Sequence, residues 1–375
     1  MLRQRLFTPG PTPIPDRIQA AMADPIVYHR GVDFPPLLRS VVAGLQEIFP
    51  VSHDLFVLAC SGTGVMEAAL VNTLCRGDRA LVVQAGQFGA RWADLCLAYG
   101  VEAVVLDLPW GRSVDPNGVA EALRKHPDIR AVFATQSETS TGVLHDVETL
   151  GDVVRRTDAL LIVDGVSSVG AHPLPADLWG IDVAVTASQK GLMVPPGVGV
   201  ISVGPRAWSA VERSDLPKLY FDLKAYRTAM LEGRGPATLP VTLLSGLRAA
   251  LYMLREEGPE AVWARHARHA GAVQHAAVAL GLSRFAARPS NALTAIGLPE
   301  GLDGVALMEI LRERYGIVVG GGLAHLRGRI IRISNLGYVD DLDILTAVSA
   351  LEMGLQKLGW AFRAGAGVAA AEGAL

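Results

Sequence analysis

The chain has 375 residues, half of them hydrophobic and 19% charged, which excludes a disordered chain and allows one very large domain or two ordinary ones around a real interior. With 34 basic against 37 acidic residues and no long basic run, it offers little grip for a nucleic-acid backbone, so no nucleic-acid partner is expected. Three cysteines (Cys60, Cys75, Cys96) without a CxxC pair or Cys/His cluster argue against a disulfide framework or a zinc site, and no membrane-spanning apolar stretch occurs.

Residues 1–35 are rich in proline and turn formers, TPGPTPIP and then HRGVDFPP. This predicts an arm lying over the surface or over a partner subunit. Proline also arrives before any signal-peptide core can form, which predicts a cytoplasmic protein. Over residues 36–250 short β-branched runs alternate with amphipathic stretches: LFVLAC then GTGVMEAALVNTLC, ALVVQAG then FGARWADLCLAYG, EAVVLDL then PNGVAEALRKHP, IRAVFATQ then HDVETLGDVVRRT, followed by ALLIVDG and DVAVTAS. Strands buried on both faces read as continuous apolar runs, and helices at this spacing imply right-handed crossovers onto a mostly parallel sheet. The prediction is a doubly wound α/β large domain, with ligands at the carboxyl ends of its strands. After a less regular stretch (205–240) come long helical patterns and then NALTAIGLP, GIVVGGG and GRIIRISN, which predict a smaller α+β domain over 251–362. The tail, 363–375, carries no periodic apolar face and is expected to be loose.

Only five of the 34 basic residues are lysine, so chemistry that needs an amine has few places to reside. Lys125, Lys218, Lys224 and Lys357 stand in polar or amphipathic settings. Lys190 follows the strand-like run DVAVTAS and enters a loop stiffened by two prolines, where partial desolvation lowers an amine's pKa and makes it a nucleophile for a carbonyl. Asp164 ends the apolar run ALLIVD, a costly place for a carboxylate unless a cation such as a pyridinium nitrogen meets it; the competing reading is a cap for the turn DGVSS. Ser61-Gly62-Thr63 stand between a strand and a helix, where free amides, hydroxyls and a glycine suit a phosphate, although plain capping reads the same way. Their glycine spacing is not the dinucleotide fingerprint. Phe88 opens the loop after the next strand, where a ring could cover a planar cofactor or simply fill the core. A phosphate cradle, an aromatic plate, a carboxylate and a buried amine are the four parts that pyridoxal 5'-phosphate requires.

With those parts, the chain resembles the class V aminotransferases of the fold-type I pyridoxal-phosphate enzymes, most of all the alanine:glyoxylate and serine:pyruvate group. The resemblance runs from TPGPTPIP to IRISNLGY and rests on CSGTGVMEAA, SETSTGVLHDV, VDGVSSVGAHPL, ASQKGLMVPPG and RIIRISNLGY. It implies that Lys190 forms the Schiff base, Asp164 meets the ring nitrogen, Phe88 and Val166 sandwich the ring, and Thr139 lies near the ring hydroxyl. It also implies that Ser61, Gly62, Thr63 and Gln189 hold the phosphate, helped by Thr238 from the second subunit of a homodimer, and that Arg332 binds the substrate carboxylate. Arg332 makes physical sense there, since a guanidinium inside an apolar strand needs a planar anionic partner.

Two positions depart from the animal enzymes, which carry tryptophan at Phe88 and a phosphate-binding tyrosine at Gly235. The implied activity moves an amino group from a small amino acid, alanine or serine, to glyoxylate or pyruvate. Tyr28, His29 and Arg30 either line the side-chain pocket or belong to a structural arm. Cysteine desulfurases and carbon–sulfur lyases of the same superfamily are an alternative, but they usually place histidine before the lysine and a reactive cysteine in the C-terminal half; here Gln189 precedes Lys190 and every cysteine lies before residue 100. A non-catalytic hydrogenase-associated protein is the other alternative, since some relatives carry such names.

Overall fold

The structure is a computed structural model that describes residues 3–375. Its large sheet has seven strands in the spatial order Asp54–Leu58, Gly199–Val203, Val183–Ala187, Leu160–Asp164, Ile129–Thr135, Arg79–Gln84 and Glu102–Asp107. All run in one direction except Gly199–Val203, which is antiparallel to both neighbours. The four strands Gly199–Val203, Val183–Ala187, Leu160–Asp164 and Ile129–Thr135 are built almost wholly of buried residues, as expected of strands covered by helices on both faces. The helix Gly62–Thr73 is apolar nearly all round and lies inside the large core, whereas Pro116–Lys125 buries only Val119 and Leu123 and keeps its charged residues outward.

The smaller sheet has the order Arg5–Phe7, Ile317–Gly321, Ile330–Ser334, Leu293–Gly297, Ser283–Arg284, antiparallel except for its first pair. Apolar side chains form two large buried clusters, one around each sheet. The helix Val241–Glu257 runs unbroken through the expected boundary at 250/251 and packs Leu244, Leu247, Leu251 and Leu254 into the larger cluster. The helix Pro259–Ala279 then passes between clusters, with Val262 in the larger and Ala272 and Val273 in the smaller.

Both chain ends differ from expectation. The first 35 residues do not simply lie over a surface: Arg5–Phe7 adds a parallel strand to the small sheet, and Asp16–Ala23 packs on Val241–Glu257 with Ile18 fully buried. The proline-rich segment between them threads past the large sheet, where Thr12 donates its amide to the carbonyl of Gln189 (3.3 Å) and its hydroxyl to that of Lys190 (3.0 Å). The tail is not loose either. Ala366–Glu372 is a helix that buries Ala371 and begins on the carboxylate of Glu352, which accepts the amides of Gly365 (2.9 Å), Gly367 (2.6 Å) and Val368 (3.0 Å). Its apolar face is made of alanines, too weak a signal to read, and its cap comes from another helix.

Candidate active site

The carboxyl ends of the central strands open into a cavity of about 300 Å³, within the size range of small-molecule sites. Nine of the residues singled out from sequence line it: Ser61, Gly62, Thr63, Phe88, Thr139, Asp164, Val166, Gln189 and Lys190. Continuous apolar strands explain the convergence, because in each the first polar residue after the buried run falls at the same sheet edge.

Lys190 follows the strand Val183–Ala187 and is held by the loop after it. The Val194 amide donates to the Ser188 carbonyl (3.0 Å), the Ser188 hydroxyl to that of Pro195 (2.7 Å), and Met193, at φ 57°, closes a turn on the Lys190 carbonyl. The Lys190 ammonium donates to the carbonyl of Pro9, so the N-terminal segment forms one wall. Gly10 is required there: its φ is +128°, and a Cβ would stand 2.7 Å from Lys190 Nζ. Burial pushes the Lys190 amine down to about 8, assisted by the positive charges of Arg332 and Arg91 and opposed by Asp164.

Asp164 is 4% exposed at the end of Leu160–Asp164, and its Oδ1 accepts the Val166 amide at 2.8 Å. Burial foremost, and then the nearby Glu138 charge, raise its carboxyl to about 6; the Val166 amide, Lys190 and Arg91 oppose this. Ser61 caps the helix Gly62–Thr73, its Oγ accepting the Gly64 amide at 3.4 Å, so the first amides of that helix face the cavity's anion-favouring end. The Thr139 hydroxyl pairs with that of Ser167 (2.6 Å).

Arg332 stands just behind this wall. It donates Nη1 to the Thr139 carbonyl (2.7 Å) and Nε to that of Gly321 (2.8 Å), while Nη2 has no acceptor among the described residues. Burial lowers it to about 10, so it stays charged at neutral pH. Thr238 is not brought to this cavity. It is exposed, its Oγ1 lies 3.3 Å from His29 Nε2, and it shares a separate groove with Tyr28 and His29. Arg30 is exposed on the same arm, and Gly235 does not line the cavity either.

Two residues escaped sequence reasoning. Arg91 lies three positions after Phe88 on one helix, with its guanidinium 4.9 Å from the Phe88 ring centre and Nη1 donating to Thr63 Oγ1 (3.0 Å). That three-residue spacing on the helix Gln87–Tyr99 was the available signal. Glu138 is fully buried beside Thr139 and has only the motif SETST to mark it.

The family model described as aminotransferase class-V matches residues 14–338. The chain belongs to the class V aminotransferases. It is 42% identical, over 98% of this chain and 97% of the relative, to a protein named soluble hydrogenase, small subunit, from a Synechococcus species. It is 41% identical, over 98% and 95%, to a serine–glyoxylate aminotransferase of Methylorubrum extorquens. Among solved structures, the ureidoglycine–glyoxylate aminotransferase of Bacillus subtilis superposes with a TM-score of 0.94 at 27% identity, covering 100% of this chain and 98% of that one. As a member of this family the protein is an aminotransferase that uses pyridoxal 5'-phosphate.

The residues present fit that group. The cavity is lined by a helix N-terminus with hydroxyls, a buried carboxylate, an amine and an aromatic ring. The side-chain oxygen of Gln189 is buried there with no partner among the described residues, and Gly62 packs so closely on Val166 that an added Cβ would stand 3.2 Å from its Cγ2. Among the described residues, no helix is long and apolar enough to cross a membrane.

Proposed function

We propose that this aminotransferase moves the amino group of serine or alanine to glyoxylate or pyruvate, with Lys190 as the cofactor-bearing and proton-transferring residue. The observation that carries the reading is the meeting of Lys190 and Asp164, both nearly buried, in one cavity beside the Ser61–Thr63 cradle. When bound, pyridoxal phosphate supplies an electrophilic aldehyde carbon and a ring that withdraws electrons from the substrate's α-carbon. Asp164 would keep a negative charge beside the protonated ring nitrogen, Phe88 and Val166 would hold the ring between them, and Thr139 would meet its hydroxyl. Ser61, Gly62, Thr63 and Gln189 would hold the phosphate, and Arg91, already bonded to Thr63, would add a positive charge beside it. Arg332 takes the substrate carboxylate with its free Nη2 and the adjoining Nη1. Lys190 Nζ removes the α-proton of the donor and, in the return half-reaction, gives a proton to the α-carbon of the acceptor.

A homodimer is part of this reading. Thr238 lies in a groove with Tyr28, which is 65% exposed, away from its own chain's cavity, so its contribution to a phosphate would be made to a partner's site. The hydrogenase name of the Synechococcus relative belongs to that protein, and the family and cavity of this chain support transamination. Sulfur chemistry has little support: burial pushes the thiols of Cys60 and Cys96 up to about 12, far from a reactive thiolate. A panel of amino donors and oxo acids, read by cofactor absorbance for each half-reaction, tests the assignment. Serine or alanine should convert the cofactor and glyoxylate or pyruvate should restore it; conversion only by other donors contradicts it.

A further inference from the structure

The helix Gln87–Tyr99 starts after Gly86, a residue with no side chain to cap it, yet its first amides are all taken. Gln87 donates its amide to Ser140 Oγ (3.0 Å), and Phe88 and Gly89 donate theirs to Glu138 Oε2 at 3.1 and 2.9 Å. Glu138 Oε1 in turn accepts the amide (3.0 Å) and hydroxyl (2.6 Å) of Ser140. Glycine is needed at position 86 because a Cβ would stand 2.4 Å from Ser140 Oγ and 2.5 Å from Glu138 Cδ.

A local serine or aspartate could have capped this helix at lower cost than a fully buried glutamate from a strand 50 residues away. The glutamate does something a local cap cannot. Its neighbour Thr139 holds Arg332 through its carbonyl and faces Ser167 through its hydroxyl. One dipeptide therefore ties the aromatic wall, the Thr139 wall and the arginine together, with the Glu138 carboxylate close enough for its charge to act on Arg332 and Asp164.

We propose that Glu138 is a positioning residue of the aminotransferase: by holding the Phe88 amide it sets where the ring stands over the cofactor, in register with Arg332. This rests on Phe88 being the ring-covering residue. The test uses purified dimer or monomer as isolated, comparing wild type, Glu138→Ala, Glu138→Gln, Phe88→Ala and the Glu138→Ala/Phe88→Ala double variant. Pyridoxal phosphate is titrated into each apoprotein, with absorbance, visible circular dichroism of the bound cofactor and melting temperature recorded.

Glu138→Ala should weaken cofactor binding by about tenfold and diminish the visible dichroism. The double variant should lose less than the product of the two single losses, because both act through the ring's placement. Glu138→Gln keeps the side-chain volume, so it carries the test if the alanine variant does not fold; it should show the same signature in weaker form. A lowered melting temperature with unchanged affinity and dichroism overturns the proposal, as do single losses that multiply in full. If wild type takes up no cofactor, the functional reading itself fails; if wild type loads normally and only these signatures are missing, the positioning role alone fails.

Discussion

Glu138 and Glu352 are buried carboxylates that do the same local work in different halves of the molecule. Each reaches from its own element to the start of a helix that lacks a side-chain cap, accepting amides of Phe88 and Gly89 in one case and of Gly365, Gly367 and Val368 in the other. Around Glu138 stand Asp164, Arg332 and the wall of the cavity; around Glu352 the tail packs on the small-sheet helices. Identical hydrogen-bond chemistry thus has different consequences according to what the anchored helix carries. Residues at the carboxyl ends of the large sheet should affect cofactor and substrate, and those at the tail should affect stability alone.

The largest effect marks one end of that contrast. Lys190→Ala should stay folded and lose turnover by about 100-fold or more, the usual reach of a positioned acid-base group; a steady-state assay showing near wild-type turnover removes Lys190 from the chemistry. Arg332→Ala should raise the substrate KM by roughly 10- to 100-fold through loss of charged hydrogen bonds, with a much smaller change in cofactor affinity. An unaltered KM would place Arg332 on the structural side with Glu352.

The pH dependence sharpens the site side further. Only a neutral amine attacks an aldehyde, and with Lys190 lowered to about 8 its neutral fraction grows as pH rises through that value. Stopped-flow mixing of apoprotein with pyridoxal phosphate should therefore show the attachment rate rising between pH 6 and 8 by about 50-fold and levelling above it; a rate still climbing at the pH of ordinary lysines contradicts the lowered value. The smallest effect lies at the other end. Glu352→Ala leaves three amides short of an acceptor, about 1 to 3 kcal/mol, and should lower the melting temperature by a few degrees while leaving cofactor affinity unchanged. Weakened cofactor binding in that variant would erase the distinction between the two carboxylates.

Much of the site was legible because it follows from strand ends. Asp164 and Lys190 end or follow continuous apolar runs, and Ser61–Thr63 sit at a strand-to-helix turn, so local pattern alone brings them to one sheet edge. What escaped depends on distant pairing. Glu138 sits among small polar residues with no period, and its partners lie 50 and 49 positions away. The segment Thr8–Pro15 reads as surface because prolines do, yet it lines the cavity at Gly10 and Pro11. The tail's helix was hidden by alanines and a borrowed cap. Thr238 shows the converse: a family resemblance assigned it to the phosphate of a second subunit, and in its own chain it stands beside His29 in a separate groove.

Whether Lys190 carries the cofactor is decided by borohydride reduction of the purified holoenzyme followed by proteolysis and mass mapping. The cofactor should be found on the peptide containing Lys190 alone. Its recovery on Lys125, Lys218, Lys224 or Lys357, or on no lysine, would remove Lys190 from that role.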